Sequence, residues 1–124
     1  MTFGLYNLVW HLLRPLIPLI LRLRAWRGKE IVSRLHDRFG QPQLDQKIKG
    51  AIWIHAVSVG ETVAAVGLAK ALASAMPKAR FLITTNTVSA AAMVEQESAN
   101  GMALSHAFQP LDHPPFVDQF LHHT

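Results

Sequence analysis

The stretch AIWIHAVSVGETVAAVGLAKALASA, residues 51–75, contains the two patterns that decide the fold. Its first part, residues 51–57, is a continuous apolar and β-branched run, which is typical of a strand buried in a parallel sheet. Its second part, residues 61–75, is rich in alanine and leucine and predicts a helix that closes near Pro77. One face of this helix is expected to face the core and to consist of Val63, Val66, Ala69, Leu72 and Ala73.

The same alternation continues to the end of the chain. Residues 80–85, RFLITT, predict a second strand, and residues 89–97 predict a second helix that ends at Asn100-Gly101. Residues 103–108 indicate a third strand and residues 115–121 a third helix. This order predicts an α/β fold with a parallel sheet and right-handed crossovers.

Size and composition restrict the class of protein. The chain has 124 residues, half of them hydrophobic, which is enough for one domain with a core but not for two. It has no cysteine, so disulfide frameworks and thiolate metal sites are excluded, and a reducing compartment such as the cytoplasm is expected.

The net charge of +4 is unevenly distributed. Residues 1–49 contain nine Lys/Arg against three Asp/Glu, a balance of +6, whereas residues 50–124 contain three against five, a balance of −2. The arginines at the front follow an apolar run, which favours anionic lipid headgroups over nucleic acid as the partner.

The front end, residues 3–21, is the mostly apolar run FGLYNLVWHLLRPLIPLIL. As a membrane span it is poor, because Arg14 at the centre costs about 2.5–3.5 kcal/mol on insertion scales and Pro15 and Pro18 remove backbone donors. It also lacks the charge order and cleavage site of a secretory signal. We expect a helix in the membrane interface. A true span and a helix packed on the protein's own body remain the alternatives.

Residues 30–39, EIVSRLHDRF, place Ile31, Leu35 and Phe39 at helical spacing and predict a short amphipathic helix with a basic face. The polar residues that follow have the composition of a surface loop. The chain is therefore divided into a membrane-associated helical and basic segment, residues 1–49, and an α/β domain, residues 50–124.

Two loops are candidates for a binding site. In parallel α/β sheets, ligands bind beyond the carboxyl ends of the strands, which points to residues 58–61 and 84–89. Gly60 would allow a backbone to approach a ligand closely. Spacing alone favours a structural interpretation, in which Ser58 is a helix cap and Glu61 a first-turn carboxylate that interacts favourably with the helix dipole. The chain has neither glycine-rich phosphate fingerprint, and no metal ligand set is expected.

Several motifs together are more specific than each alone. The run HAVSVGET, residues 55–62, resembles the acceptor-loop motif of the bacterial 3-deoxy-manno-octulosonic acid (Kdo) transferases. The run TTNTVS, residues 84–89, resembles the threonine-rich second loop of that family. The similarity extends to residues 14–17, RPLI, 34–40, RLHDRFG, and 110–114, PLDHP, and so covers nearly the whole chain.

The resemblance implies a Rossmann-like N-terminal acceptor half of a GT-B glycosyltransferase, preceded by the membrane-associated segment. The family transfers Kdo from CMP-Kdo to a lipid A precursor with inversion, in lipopolysaccharide biosynthesis. Glu61 is implied as the general base. The implied substrate contacts are Ser58, Gly60, Thr84, Thr85 and Asn86.

The resemblance also implies a location and a limit. The enzyme would work at the cytoplasmic side of the cell inner membrane, on anionic lipid, without a cofactor or metal; protein partners are not indicated. Family members are longer, so the C-terminal donor domain is expected to be absent and the chain alone to be inactive. The alternatives are a truncated, non-catalytic remnant and a membrane-bound α/β binding module.

Overall fold

The computed structural model describes residues 3–44 and 48–124. The predicted boundary loop, residues 41–49, therefore lies partly outside the described residues. The front end is helical, as predicted, but the helical run extends further than residue 21. It comprises α1 (Phe3–Leu13), a 3-10 turn (Arg14–Leu16) and α2 (Ile17–Trp26). Pro15 lies in the first turn of the 3-10 turn and Pro18 in the first turn of α2. A backbone N–H at such a position has no acceptor within its own element, so its absence in proline costs little.

By length and composition, the 24-residue run from Phe3 to Trp26 could cross a membrane, and only 11% of its best 18-residue window is buried in protein. One side of the run packs on the α/β domain. Ile17 and Leu21 contact Phe116, and the Trp10 ring stacks on His113 with 5.5 Å between centroids. The alternative of a helix packed on the protein's own body thus applies to this side, while most other side chains of the run are exposed. The expected position in the membrane interface stays a prediction.

The prediction of one helix over residues 30–39 is wrong. A 3-10 turn (Val32–Arg34) and a short α3 (Leu35–Arg38) are present instead, and Ile31 is extended. The expected basic face is also wrong, because Arg38 is buried. The physical reason is that the segment turns its charged side chains inward to bind backbone groups and side chains of the sheet domain.

The α/β architecture is confirmed. Three parallel strands, β1 (Ile52–Ala56), β2 (Phe81–Thr85) and β3 (Leu104–Phe108), lie in the order β1-β2-β3 and are aligned in register, so that their last residues end at one edge. All five residues of the central strand are buried. The expectation that residues 51–57 form a buried strand is wrong for most of β1, in which Trp53 is 48% exposed and only Ala56 is buried. The reason is that β1 lies at an edge of the sheet and, among the described residues, has a neighbouring strand on one side only. The helices that follow the strands are α4 (Val59–Ala75), α5 (Val88–Ala99) and α6 (Pro114–His123).

The core lies on both faces of the sheet. On one face, α4 and α5 cover Ile83, and on the other Phe120 of α6 covers Leu82 and Ala107. The expected buried face of α4 is partly wrong, because Val63 is 58% exposed. The buried stripe consists of Thr62, Ala65, Val66 and Ala69, whose small side chains allow the helix to approach the sheet closely.

Candidate active site at the carboxyl ends of the strands

Ser58 and Glu61 cap the start of α4. The Glu61 backbone N–H donates to Ser58 Oγ at 3.2 Å, and Glu61 Oε2 accepts from the Val57 backbone N–H at 2.7 Å. This reciprocal arrangement is a variant of the capping box, with the carboxylate reaching one residue further back than usual. Ser58 and Glu61 therefore have the capping roles that their spacing predicts. It also holds an exposed carboxylate in one orientation at the edge of the sheet.

Gly60 lies between these two residues and is exposed. A Cβ at this position would contact only Ser58 Oγ, at 3.9 Å, so the space above Gly60 is open. Ser58, Gly60 and Glu61 therefore form one accessible surface directly after β1.

Thr84 does not belong to this accessible surface. Its side chain is fully buried, and Thr84 Oγ1 accepts from Trp53 Nε1 at 2.9 Å and pairs with His55 Nδ1 at 2.9 Å. Both contacts link β2 to β1. In this structure the hydroxyl is therefore engaged within the sheet.

Thr85 is similarly engaged on the other side of β2. Its Oγ1 pairs with His106 Nε2 at 2.9 Å, and Thr85 is fully buried. Burial, with a further contribution from the positive charges of Arg34 and Arg38, lowers the pKa of His106 from 6.5 to about 3. The imidazole is thus neutral near neutral pH and acts as a structural hydrogen-bond partner.

Asn86, which follows β2, is half-buried and held by Arg38. Arg38 donates from Nη1 to Asn86 Oδ1 at 3.1 Å and from Nη2 to Asn86 O at 2.9 Å. It also donates to Gln109 O, and twice to the carboxylate of Glu30. All five guanidinium N–H groups are satisfied. Arg38 therefore joins the front segment to the loops that follow β2 and β3.

Sequence reasoning assigned no role to Arg38 beyond a basic helix face. A local pattern contains no signal for this role, because the acceptors lie 48 and 71 residues away in the chain. The candidate residues thus divide into an exposed set after β1, a buried set in β2 and the clamped Asn86. Among residues 3–44 and 48–124, no group of three His, Asp or Glu side chains is placed to hold a metal ion.

A three-stranded parallel sheet with helices on both faces, and a capped glutamate at its carboxyl edge, defines the class by fold: a Rossmann-like α/β domain with a candidate site beyond the ends of its strands. Residues 33–124 match the family described as "3-Deoxy-D-manno-octulosonic-acid transferase (kdotransferase)". The chain belongs to this Kdo transferase family.

Curated relatives agree with the family match. The chain is 37% identical over 122 residues to a "Probable 3-deoxy-D-manno-octulosonic acid transferase, mitochondrial" of Arabidopsis thaliana, covering 98% of this chain and 27% of the relative. It is 33% identical over 117 residues to a "3-deoxy-D-manno-octulosonic acid transferase" of Rickettsia bellii, covering 94% of this chain and 28% of the relative. The chain thus spans about a quarter of the length of these relatives. No solved structure matches it.

Proposed function

We propose that this chain forms the acceptor-binding part of a Kdo transferase and that Glu61 is its general base. The acceptor hydroxyl of a lipid A precursor attacks the anomeric carbon of Kdo in CMP-Kdo. The new carbon–oxygen bond forms as the bond to the CMP phosphate breaks, CMP leaves, and the hydroxyl proton passes to Glu61. The configuration at the anomeric carbon is inverted.

The geometry of Glu61 is the observation that carries this proposal. A sugar hydroxyl is a weak nucleophile, and a positioned base contributes a factor of roughly 10² to 10⁴. The bond from the Val57 N–H to Glu61 Oε2 orients the carboxylate, and the side chain is exposed at the edge where such sheets bind ligands. The open space above Gly60 gives the acceptor a path to it.

The proposed donor site is not among the residues described above. CMP-Kdo is proposed to bind in the part of the relatives' length that this chain does not span. Ser58, which is exposed, and Asn86, which is partly exposed, are the proposed polar contacts to the acceptor, whereas Thr84 and Thr85 are buried and would stabilise the sheet next to the site.

The front helix suits an enzyme whose acceptor is held in a bilayer. Its exposed apolar side chains include Leu12 and Leu19, and the exposed Arg22 and Arg27 follow at its end. Apolar surface next to arginines binds membranes that contain anionic lipid. We propose that the protein acts at the cytoplasmic face of the inner membrane, and this exposed surface supports a membrane-bound location.

A chimera tests the proposed function. Residues 33–124 would replace the matching region of the Rickettsia bellii relative, and Kdo transfer from CMP-Kdo to the lipid A precursor would be measured by mass spectrometry. We expect the chimera to be active and Glu61→Gln to reduce kcat by roughly 10² or more, because the amide cannot take the proton. The amide oxygen still accepts from the Val57 N–H, so the fold should remain.

The matched control is Glu97→Gln, which removes a carboxylate from the surface pair with Lys70. It should leave transfer unchanged. Full activity of the folded Glu61→Gln chimera would rule out Glu61 as the base. An inactive but folded wild-type chimera would favour the binding-module alternative.

A further inference from the structure

A groove of about 450 Å³ runs between the front helix and the α/β domain. The helix side of this groove is a single stripe at helical spacing. A stripe from residue 10 to residue 24 is about 21 Å long at 1.5 Å per residue. It consists of Trp10, Leu13, Ile17, Ile20, Leu21 and Arg24.

The groove is apolar along its length and charged at one end. Leu111 closes the apolar part from the domain side, and Arg24, Glu30, Arg38 and Asn86 form the charged end. Two guanidinium groups there face one carboxylate, which leaves a net positive charge. The side chains of Glu30 and Arg38 are buried, and their polar atoms bind other groups of the protein. The Arg24 side chain, in contrast, is 45% exposed. The charged end therefore still has a cation open to an anionic ligand.

The position of the charged end connects the groove to the candidate active site. Asn86 directly follows β2, whose last residue pairs in register with the last residue of β1. The loop that carries Glu61 starts from that last residue of β1. The shape thus fits an amphiphile whose anionic head lies near the carboxyl edge of the sheet and whose tail follows the helix.

We propose that the groove holds one acyl chain of the lipid acceptor, with its anionic head directed towards Arg24 and Asn86. This inference rests on the proposed function for the identity of the lipid. The groove would then bind the tail of the same molecule whose sugar hydroxyl is presented to Glu61. An acyl chain fits the apolar stripe, and a phosphate on the sugar complements the positive end.

Photo-crosslinking of the full chain tests the proposal without any need for transfer. The probe is a lipid A precursor with a diazirine in one acyl chain, in phosphatidylcholine vesicles, and labelled residues are identified by mass spectrometry. Label on Leu13 and Ile17 is expected. Ile20→Trp should fill the groove and, by displacing two methylenes, lower probe affinity roughly tenfold.

Adjacent residues supply matched controls. Leu19 is 56% exposed and Ile20 is 50% exposed, but only Ile20 lines the groove, so Leu19→Trp, which adds the same bulk on the membrane-binding surface outside the groove, should not lower probe affinity. Arg24→Gln should weaken probe binding about fivefold, the effect of one cation at an anionic headgroup. Arg27→Gln, on the same helix but outside the groove, should have a smaller effect.

Three results would overturn the proposal. Equal losses from Ile20→Trp and Leu19→Trp would mean that the helix is a general membrane surface. Equal labelling by a diazirine-bearing phosphatidylglycerol would mean that any anionic lipid occupies the groove. Loss of self-association on Ile20→Trp, with probe binding unchanged, would assign the groove to a second copy of the chain. Failure of Kdo transfer in the chimera is a separate outcome, because crosslinking does not depend on transfer.

Discussion

Replacing Arg38 with methionine should destabilise the protein more than any other change to a single charged side chain described above. Glu30 has a side chain that is only 3% exposed, and Arg38 provides two of its hydrogen bonds. Removing one partner of a buried ion pair costs about 3–5 kcal/mol, because the remaining charge is left without compensation. The Asn86 and Gln109 carbonyl oxygens would also lose donors. Urea unfolding followed by circular dichroism, in mild detergent, measures the change.

Two further variants test whether the loss of stability in Arg38→Met comes from leaving the buried Glu30 charge without its partner. Arg24→Met removes the second partner of Glu30, but the Arg24 side chain is 45% exposed, so the cost should be about 1 kcal/mol or less. Adding Glu30→Gln to Arg38→Met should recover part of the loss, because an uncharged amide is cheaper to bury than a carboxylate. A loss no larger for Arg38→Met than for Arg24→Met, or no recovery in the double variant, would refute this reasoning.

Two more predictions concern pH and packing. The folded-state pKa of His106 is lowered from 6.5 to about 3, so the unfolded chain binds more protons below pH 6.5 and stability falls as the pH falls. The wild type should lose about 2 kcal/mol from this group between pH 7 and pH 5, and His106→Gln should remove that part of the slope in unfolding curves. Gly40 has φ +77°, and a Cβ there would lie 1.9 Å from the Phe116 carbonyl oxygen. Gly40→Ala should therefore cost about 1–3 kcal/mol more than Gly101→Ala in thermal or urea unfolding, because Gly101 also has positive φ but open space around it. Equal losses of stability in Gly40→Ala and Gly101→Ala would show that α6 moves to accommodate the extra methyl group at residue 40.

The order and type of the elements in the α/β domain could be read from the sequence because they depend on local patterns. The apolar run at residues 51–57 and the alanine-rich stretch after it show their hydrophobic patterns over a few neighbouring residues. The structure confirms the predicted strand and helix, and their first and last residues lie within two positions of the predicted ones. The segment around Ile31 could not be read in this way. Its apolar spacing is helical, but contacts between Asp37 Oδ2 and the Phe108 N–H, and between Arg34 and the His106 carbonyl, determine its path.

The candidate site also has some features that local spacing predicts and others that depend on tertiary contacts. The cap at Ser58 and the first-turn position of Glu61 were expected from local spacing, and both are present. Thr84 and Thr85 were predicted to end the second strand and to contact substrate, and their complete burial was not expected of substrate contacts. Only packing between neighbouring strands shows that these hydroxyl groups pair with His55 and His106 inside the sheet.

The sequence by itself determined the parallel α/β class, the family motif around Glu61 and the basic, apolar front end, because hydrophobic period, helix caps and charge are properties of neighbouring residues. The tertiary structure alone decided that Arg38 clamps Asn86, that His106 is neutral and that a groove follows the front helix. Each of these depends on groups far apart in the chain whose charges and hydrogen bonds are compensated only when the fold brings them together.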